Sequence, residues 1–193
     1  LDYVEDLLGQ NFYLWGGQFF YKPAYSNSIV PWHQDSQYWP LEPSNSVTVW
    51  LAVYDTDEKN SAMKIISGSH KDKIYLHNEN TNENYILSQE VSNNQIDQNK
   101  IVYMNLKAGE ISLHSDALLH GSDKNNSNLP RCGITLRYSP SNVKANLSKW
   151  PHFSIQVARG DKNHTLNPVA PVPRGEATPI KGFQFHQEFE SQW

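Results

Sequence analysis

Runs of β-branched and aromatic residues along the chain predict a fold built mainly of β-strands. Phe12 to Tyr21 is aromatic, is interrupted by glycines, and ends at the turn-forming pair Lys22-Pro23. Val47 to Tyr54 is the strongest of these predictions, because a continuous apolar run is typical of a strand buried on both faces. Shorter runs predict further strands at Ala62 to Ile66, Glu110 to Leu113, Gly133 to Tyr138 and Phe153 to Val157.

Two segments do not follow the strand pattern. Residues 1–8 place Leu1, Val4, Leu7 and Leu8 at helical spacing before Gly9, which predicts a helix packed on the sheet. Residues 71–100 are rich in Asn, Gln, Glu and Asp and show weak periodicity. This stretch is too long for an ordinary connection, so we expect an excursion that forms a lid over the site or a solvated flap.

Strands at irregular spacing, frequent turns and little helix favour an all-β core. The architecture that fits is a double-layered jelly roll, as in cupins, with a few flanking helices and an interior that can hold a metal and a small ligand. A chain of 193 residues fits one domain, which we place at residues 1–193. Because the chain starts at Leu1 and not at Met, we expect that part of the native N-terminus is missing.

Composition narrows the class of function. The net charge is −4, whereas nucleic-acid-binding proteins usually carry an excess of basic residues, so we expect a small-molecule partner. No apolar run approaches the ~18 residues that a membrane-spanning helix needs. The single cysteine, Cys132, excludes internal disulfides and paired-cysteine metal sites, and we predict that it lies in the core. A cytoplasmic protein is the expectation, and the oligomeric state is left open.

A set of polar residues predicts a metal site. His33 and Asp35 are two positions apart, which puts both side chains on one face of an extended segment, with Gln34 directed away. A distant histidine completes the two-imidazole, one-carboxylate set that holds iron(II) and leaves positions open for a co-substrate and dioxygen. Arg131 adds a planar fork that can grip the far carboxylate of a 2-oxo acid.

Two histidines compete for the distal ligand position. We prefer His120, because its distance from Arg131 (131 − 120 = 11) matches one hairpin that returns the guanidinium toward the metal. His114 is then an exposed or hydrogen-bonded histidine outside the ligand set. Arg137 is a rival carboxylate anchor, and it could also face an anionic substrate or lie at the barrel rim, where we place it.

The remaining polar and aromatic candidates have less specific signals. His70 fits a turn, and we predict the other histidines at the surface: His77, His152, His164 and His186. Trp32, Tyr38 and Trp39 flank the proposed ligands and are candidates for a substrate-binding wall, although each could equally be a core aromatic.

With these residues in place, the chain resembles the phytanoyl-CoA dioxygenase (PhyH) family. The similarity runs in consistent order over roughly residues 12–140, through Trp32 to Pro40, Thr48 to Trp50, Met63 to His70 and His120 to Arg131. The resemblance implies a double-stranded β-helix, iron(II) held by His33, Asp35 and His120, and 2-oxoglutarate chelated to the metal with its 5-carboxylate on Arg131. By position, it also implies that Gln18, Trp50 and Ser122 contact the co-substrate.

The resemblance further implies the reaction. Halogenating members lack the carboxylate ligand, so Asp35 favours hydroxylation of an unactivated C–H bond with release of succinate and CO2. Two other classes stay open: a non-catalytic cupin-like binding module, and a zinc hydrolase that uses the same three ligands. The family usually has a longer N-terminal helical region than this chain. The substrate itself is not identified by any residue.

Overall fold

Antiparallel strands account for most of the regular structure in the computed structural model, which describes residues 1–71, 74–161, 163 and 165–171. One helix, α1, spans Asp2–Leu8, and short 3-10 turns occupy Asp35–Gln37, Ser69–Lys71, Asn93–Gln95 and Gln98–Lys100. The strands are β1 (Phe12–Lys22), β2 (Val30–His33), β3 (Leu41–Glu42), β4 (Val47–Ala52), β5 (Lys64–Ile66), β6 (His77–Glu79), β7 (Gln89–Val91), β8 (Ile101–Tyr103), β9 (Ile111–Ser115), β10 (His120–Ser122), β11 (Arg131–Pro140), β12 (Lys144–Ala145) and β13 (Gln156–Arg159).

Two sheets form the walls of a jelly roll. The five-stranded sheet has the order β13-β1-β11-β4-β9, and the four-stranded sheet has the order β2-β10-β5-β8. Two further two-stranded pairs, β3 with β12 and β6 with β7, lie beside them. The expected cupin-like all-β core is confirmed.

The register of the five-stranded sheet sorts its side chains between the cavity and the outer face. Arg131, Thr135 and Arg137 share one face of β11, because successive side chains alternate across a strand. Thr135 lies opposite Gln18 of β1 and Trp50 of β4. One row further along, Arg137 lies opposite Thr48, which in turn lies opposite His114 of β9. These rows form the polar face that looks into the cavity.

Apolar clusters close the structure around this face. Val4 of helix α1 packs against Phe12 of β1 and Tyr138 of β11 on the outer side of the five-stranded sheet. A second cluster joins Tyr13 and Trp39 to Leu41, Val143, Ala145 and Ile155. A third holds Trp32 against Ile66, Val91, Ile96 and Leu119. The cavity therefore has firmly packed surroundings, which limits how far its polar side chains can move.

Several predicted elements match the structure, and others need correction. The N-terminal helix is confirmed, the prediction for Val47 to Tyr54 corresponds to a strand that ends at Ala52, and Cys132 is buried as expected. The strand predicted at Phe153 to Val157 is shifted: it occupies Gln156–Arg159 and pairs with β1. The excursion at residues 71–100 carries the β6–β7 hairpin.

Among the described residues, no helix is long and apolar enough to cross a membrane.

Candidate metal centre and ligand cavity

Three side chains that are distant in sequence converge at one end of the four-stranded sheet. His33 ends β2, His120 begins β10, and these two residues are cross-strand partners. Asp35 opens the 3-10 turn that follows β2. His33 Nε2 lies 3.5 Å and His120 Nε2 lies 3.9 Å from Asp35 Oδ1. All three residues are buried, and one ligand atom from each lies within 4.8 Å of the others.

Both imidazoles are oriented by the same backbone contact. His33 Nδ1 lies 2.9 Å from the carbonyl oxygen of Pro31, and His120 Nδ1 lies 2.9 Å from that of Leu118. A carbonyl only accepts, so each Nδ1 carries the hydrogen and each Nε2 keeps its lone pair for a metal. Such outer contacts fix the tautomer and ring orientation of metal-binding histidines.

The protonation states suit a cation. Burial lowers the pKa of His120 to about 3, so this imidazole is neutral at pH 7. Burial opposes ionisation of Asp35, but the neighbouring His120, His33 and His114 hold the pKa of its carboxyl well below the usual range. A neutral imidazole and an ionised carboxylate are the forms that bind a metal.

Local packing explains why the ligand strands come so close. An added Cβ on Gly121 would lie 2.8 Å from the carbonyl oxygen of Val30, so only glycine permits this approach of β10 to β2. Gln34, between the two proximal ligands, is fully buried, and its side chain donates to Ala117 O and accepts from Tyr75 N. Gln34 thus points away from the ligands, as expected, and anchors the turn that presents Asp35.

His114 lies beside the three ligands but outside the set. Its Nε2 is 4.0 Å from Asp35 Oδ2, and its ring centroid is 5.0 Å from that of His120. Burial lowers the pKa of His114 to about 4, which keeps it neutral at pH 7. The expectation of an exposed His114 is wrong, because only 7% of its surface is accessible. The expected hydrogen bond is not found at Nδ1 either, which has no partner within the described part of the chain.

Arg131 enters the cavity from the opposite wall. It is 3% exposed, and its guanidinium carbon lies 5.2 Å from the centroid of the Trp50 ring. Its Nε has no hydrogen-bond partner within the described part of the chain. An added Cβ on Gly133 would lie 2.0 Å from Trp50 Cζ2, so this glycine makes room for the indole that supports Arg131.

The hairpin predicted between His120 and Arg131 is wrong. β10 pairs with β2 and β5, whereas β11 pairs with β1 and β4. The connection at residues 123–130 therefore crosses from one sheet to the other. A spacing of this length fits either path, and the sheet assignment is a property of the whole fold.

Lys22 is a buried cation that sequence reasoning missed. It is 3% exposed, and its Nζ donates to Ser61 Oγ and Ser122 Oγ at 2.9 Å and to Asp123 O at 2.6 Å. Burial, followed by the positive charge of Arg131, lowers the pKa of Lys22 to about 7. Ser122, a proposed co-substrate contact, is engaged in this network and does not line the cavity. The Lys22-Pro23 pair marked a strand end but carried no signal of burial.

Arg137 does not lie at the rim where we placed it. It is 6% exposed and lines the cavity beside Trp15 and Trp39, whose ring centroids lie 5.8 and 5.3 Å from the guanidinium carbon. Its Nη2 donates to Gln18 Oε1 at 3.3 Å. Gln18 and Trp50, the other proposed co-substrate contacts, also line the cavity.

Of the three aromatic candidates for the substrate-binding wall, one lines the cavity and two lie in the core. Tyr38 lines the cavity, and burial raises the pKa of its phenol to about 12. Trp32 and Trp39 pack in two different apolar clusters and are not part of the lining, because both indoles face the core. Ile86 and Leu87, from the excursion at residues 71–100, complete the apolar side of the cavity.

The remaining histidines lie apart from the ligands. His70 and His152 are exposed, as expected. His77 is half-buried and accepts a hydrogen bond from the backbone N–H of Gln34, so it is not the surface residue that we predicted. His164 and His186 lie outside the described residues.

The donor set fits a divalent metal such as iron(II). Two imidazole nitrogens with free lone pairs and one ionised carboxylate are ligands of the type that non-heme iron prefers, and three ligands leave coordination positions open. The cavity between the sheets extends from these ligands to Arg131 and Arg137. A metal at His33, Asp35 and His120 would thus face two guanidinium groups.

Comparisons with known proteins identify a family for this chain. The phytanoyl-CoA dioxygenase (PhyH) family model matches residues 1–133. The probable alpha-ketoglutarate-dependent hypophosphite dioxygenase of Stutzerimonas stutzeri is 30% identical over 153 residues, covering 78% of this chain and 51% of that protein. The peroxisomal phytanoyl-CoA dioxygenase of Mus musculus is 27% identical over 198 residues, covering 100% of this chain and 55% of that protein.

Solved structures show the same fold. The non-heme monooxygenase ThoJ, in its apo form, superposes with a TM-score of 0.74 at 28% identity, covering 91% of this chain and 62% of that one. Its nickel complex superposes with a TM-score of 0.67 at 26% identity, covering 91% of this chain and 61% of that one. The chain spans about half the length of the curated relatives that it matches. From the family match and the shared fold, the chain belongs to the phytanoyl-CoA dioxygenase (PhyH) family.

Proposed function

We propose that this chain is the oxygenase domain of an iron(II)- and 2-oxoglutarate-dependent dioxygenase that hydroxylates an unactivated C–H bond of a small molecule. One observation carries the proposal: His33, Asp35 and His120 present ligand atoms within 4.8 Å of one another, in a cavity that also contains the buried Arg131. The Stutzerimonas stutzeri relative, named as alpha-ketoglutarate-dependent, supports the choice of co-substrate.

The three ligands would hold iron through His33 Nε2, His120 Nε2 and a carboxylate oxygen of Asp35. When bound, iron supplies the activation of dioxygen, coupled to oxidative decarboxylation of 2-oxoglutarate to succinate and CO2. The carbonyls of Pro31 and Leu118 keep both Nε2 atoms unprotonated and aimed into the cavity. These contacts hold both imidazole rings in the orientation and tautomer that metal binding requires.

Arg131 would hold the 5-carboxylate of the co-substrate. Its buried Nε lacks a hydrogen-bond partner within the described part of the chain, and a carboxylate is the acceptor that matches the guanidinium fork. Trp50 covers the guanidinium at 5.2 Å and helps to exclude water from this ion pair. A dry ion pair is stronger than an exposed one, so it contributes to both affinity and orientation.

The test is an anaerobic visible spectrum of the iron(II)-loaded chain, recorded before and after addition of 2-oxoglutarate. We expect a weak charge-transfer band that requires both components, followed by slow succinate release when air is admitted. Asp35→Ala should lose iron binding and the band together. His70→Ala, which removes an exposed histidine outside the site, is the matched control and should leave both unchanged.

The same experiment separates the alternatives. A folded chain that binds iron but shows neither the band nor succinate release would refute the oxygenase proposal and favour a binding module. Hydrolysis of an ester or amide probe by the zinc-loaded chain, without any consumption of 2-oxoglutarate, would instead favour the hydrolase.

A further inference from the structure

A second buried cation, Lys22, lies directly beside Arg131 where β1 ends and β11 begins. The two residues are cross-strand partners, and each is 3% exposed. Directly opposed residues of an antiparallel pair project their side chains from the same face, with Cβ atoms about 4.5–5.5 Å apart. Because side chains alternate along a strand, this is also the face of Gln18 and Phe20, which line the cavity. Lys22 is not among the described residues that line the cavity, so it can influence a bound ligand only through its neighbours.

The charges around Lys22 are not balanced within the described part of the chain. Like charges that lie directly opposite each other on a sheet repel, and here both are buried. The charged groups that act on Lys22 are Arg131, Asp123 and Lys64. Lys22 binds the backbone carbonyl of Asp123, whereas the carboxylate of Asp123 pairs with Lys64 and accepts a hydrogen bond from Tyr103. One carboxylate thus faces three cations, and an anion bound at Arg131 would reduce the repulsion.

Neutral oxygens hold the amine of Lys22 in place. Its Nζ donates to the hydroxyls of Ser61 and Ser122 and to the carbonyl of Asp123. These three acceptors match the three hydrogens of an ammonium group, and the hydroxyl of Ser122 can turn to donate to a neutral amine. Ser61 has a φ of 75°, a conformation that is uncommon outside glycine. The surroundings therefore accept Lys22 in both protonation states.

Lys22 can change its protonation state near neutral pH. Burial, and after it the charge of Arg131, lower the pKa of Lys22 to about 7. Arg131 has a pKa of about 10, and burial raises the pKa of Tyr103, so both groups keep their protons at pH 7. Two further titratable residues interact with these neighbours, Glu58 with Tyr103 and Cys132 with Arg131. Of these groups, Lys22 is the one whose proton an arriving anion most readily changes.

From these contacts, we infer that Lys22 is a positioning residue for the 5-carboxylate of 2-oxoglutarate: it gains a proton as the co-substrate binds, and its charge then strengthens the hold of Arg131 on that carboxylate. This role rests on the proposed function, which supplies the anion. Coupling between two binding events is reciprocal, so 2-oxoglutarate should bind more tightly when Lys22 is already protonated. The affinity for 2-oxoglutarate should therefore fall as the pH rises above 7.

The experiment uses the chain loaded with nickel(II), which replaces iron and prevents turnover. Calorimetric titrations with 2-oxoglutarate are made at pH 7.5 and 9.0, each in two buffers that differ in enthalpy of ionisation. We expect the affinity to fall roughly three- to ten-fold over this interval, because uptake of one proton changes it by at most about ten-fold per pH unit. At pH 7.5, the dependence of the binding enthalpy on the buffer should show uptake of roughly half a proton or more.

Lys22→Met distinguishes coupling from a merely structural role. The variant should bind 2-oxoglutarate without proton uptake and with nearly the same affinity at both pH values, close to that of the native chain at pH 9.0. A structural defect would instead weaken binding at both pH values, which would overturn the inference. Arg159→Gln is the matched control, because it removes a cation that pairs with Asp2 and Glu5 of α1 and does not line the cavity. It should keep the native pH profile.

Ser122→Ala provides a second test that keeps the lysine. Loss of one acceptor disfavours the ammonium form, so the fall in affinity should move to lower pH. An unchanged profile in this variant would overturn the inference. So would equal affinity of the native chain at both pH values, with a binding enthalpy that does not depend on the buffer. A native profile that persists in Lys22→Met would also overturn it and would assign the proton to another group, such as Cys132.

A failure of the proposed function gives a different pattern. If 2-oxoglutarate does not bind the nickel-loaded chain at either pH, the proposed function fails. The titrations are then repeated with glutarate, which keeps both carboxylates and lacks the keto group. Proton uptake with glutarate that is lost in Lys22→Met would still support the coupling of Lys22 to an anion at Arg131. Glutarate binding without proton uptake, or no glutarate binding, would overturn it.

Discussion

Replacing Arg131 with methionine should weaken co-substrate binding while making the ligand-free chain more stable. Methionine is close to arginine in length and is apolar, so it can fill the same space beside Trp50 without a charge. The guanidinium is 3% exposed and its Nε lacks a hydrogen-bond partner in the described part of the structure. These features make Arg131 costly to bury until an anion arrives.

The size of the expected gain in unfolding free energy follows from the pKa of Arg131. Burial lowers this pKa from 12.5 to about 10, which corresponds to roughly 3 kcal/mol disfavouring the charged form, at about 1.36 kcal/mol per pH unit. At pH 7 the side chain is charged in both folded and unfolded chains, so the whole penalty applies. Loss of the contact with Trp50 offsets about 1 kcal/mol. The net expectation is a gain of about 2 kcal/mol, or a rise in Tm of roughly 4–8 °C.

The same substitution should weaken the binding of 2-oxoglutarate. Removing one partner of a buried, hydrogen-bonded charge pair costs about 2–5 kcal/mol, which is a loss of 2-oxoglutarate affinity of roughly 30-fold to 4,000-fold. Thermal unfolding of the metal-free chain measures the first effect, and calorimetry on the nickel-loaded chain measures the second. Iron or nickel affinity should change little, because the ligands lie on the other sheet.

A variant with a lower Tm and unchanged 2-oxoglutarate affinity would refute the reasoning on both counts. Arg159→Gln again serves as the control, since its ion pairs with α1 lie outside the cavity. It should not raise the Tm and should not affect ligand binding.

Three further predictions concern the surroundings of the site. Gly133→Ala should cost about 1–3 kcal/mol in unfolding free energy and also weaken 2-oxoglutarate binding, because the new Cβ would lie 2.0 Å from Trp50 Cζ2; unchanged urea midpoint and affinity would contradict this. His114→Phe should weaken metal binding by about 10- to 100-fold in a chelator competition, since the imidazole lies 4.0 Å from Asp35, whereas His70→Phe should not. Lys22 has a pKa of about 7 in the folded chain, against the usual 10.5. Between these pH values the folded chain binds fewer protons at Lys22 than the unfolded chain. The free energy of unfolding should therefore rise from pH 7 toward 10.5, by up to about 1.4 kcal/mol per pH unit. Lys22→Met should remove this rise, and parallel stability curves for the two chains from pH 7.5 to 9.5 would exclude the assignment.

Sequence periodicity identified the long strands and missed several of the short ones. Val47–Ala52 and Arg131–Pro140 carry enough β-branched and aromatic residues to be recognised. Val30–His33 and His120–Ser122 are too short for a periodic signal, yet they carry two of the proposed ligands. They were proposed as ligands from residue type and spacing, which depend on chemistry and not on strand length.

The environment of buried cations could not be predicted from the sequence. Lys22 ends a strand beside a proline, and Arg137 alternates with apolar residues, and neither pattern indicates a buried cation. Their burial depends on Ser61, Ser122 and Asp123 in one case and on Trp15 and Trp39 in the other. These partners are far away in the chain, and only the assembled sheets bring them together. The same reason explains why the spacing of His120 and Arg131 was taken for a hairpin.

The two walls of the jelly roll carry different functional side chains, so substitutions on each wall affect different parts of the site. His33 and His120 belong to the four-stranded sheet and Asp35 follows it directly, whereas Gln18, Trp50, Arg131 and Arg137 belong to the five-stranded sheet. Substitutions on β1, β4 and β11 of the second wall can therefore alter the shape and charge of the cavity without replacing a metal ligand, whereas His114 on β9 lies 4.0 Å from Asp35. A library confined to the cavity face of β1, β4 and β11 would sample new substrates while each variant retained the same metal-binding wall.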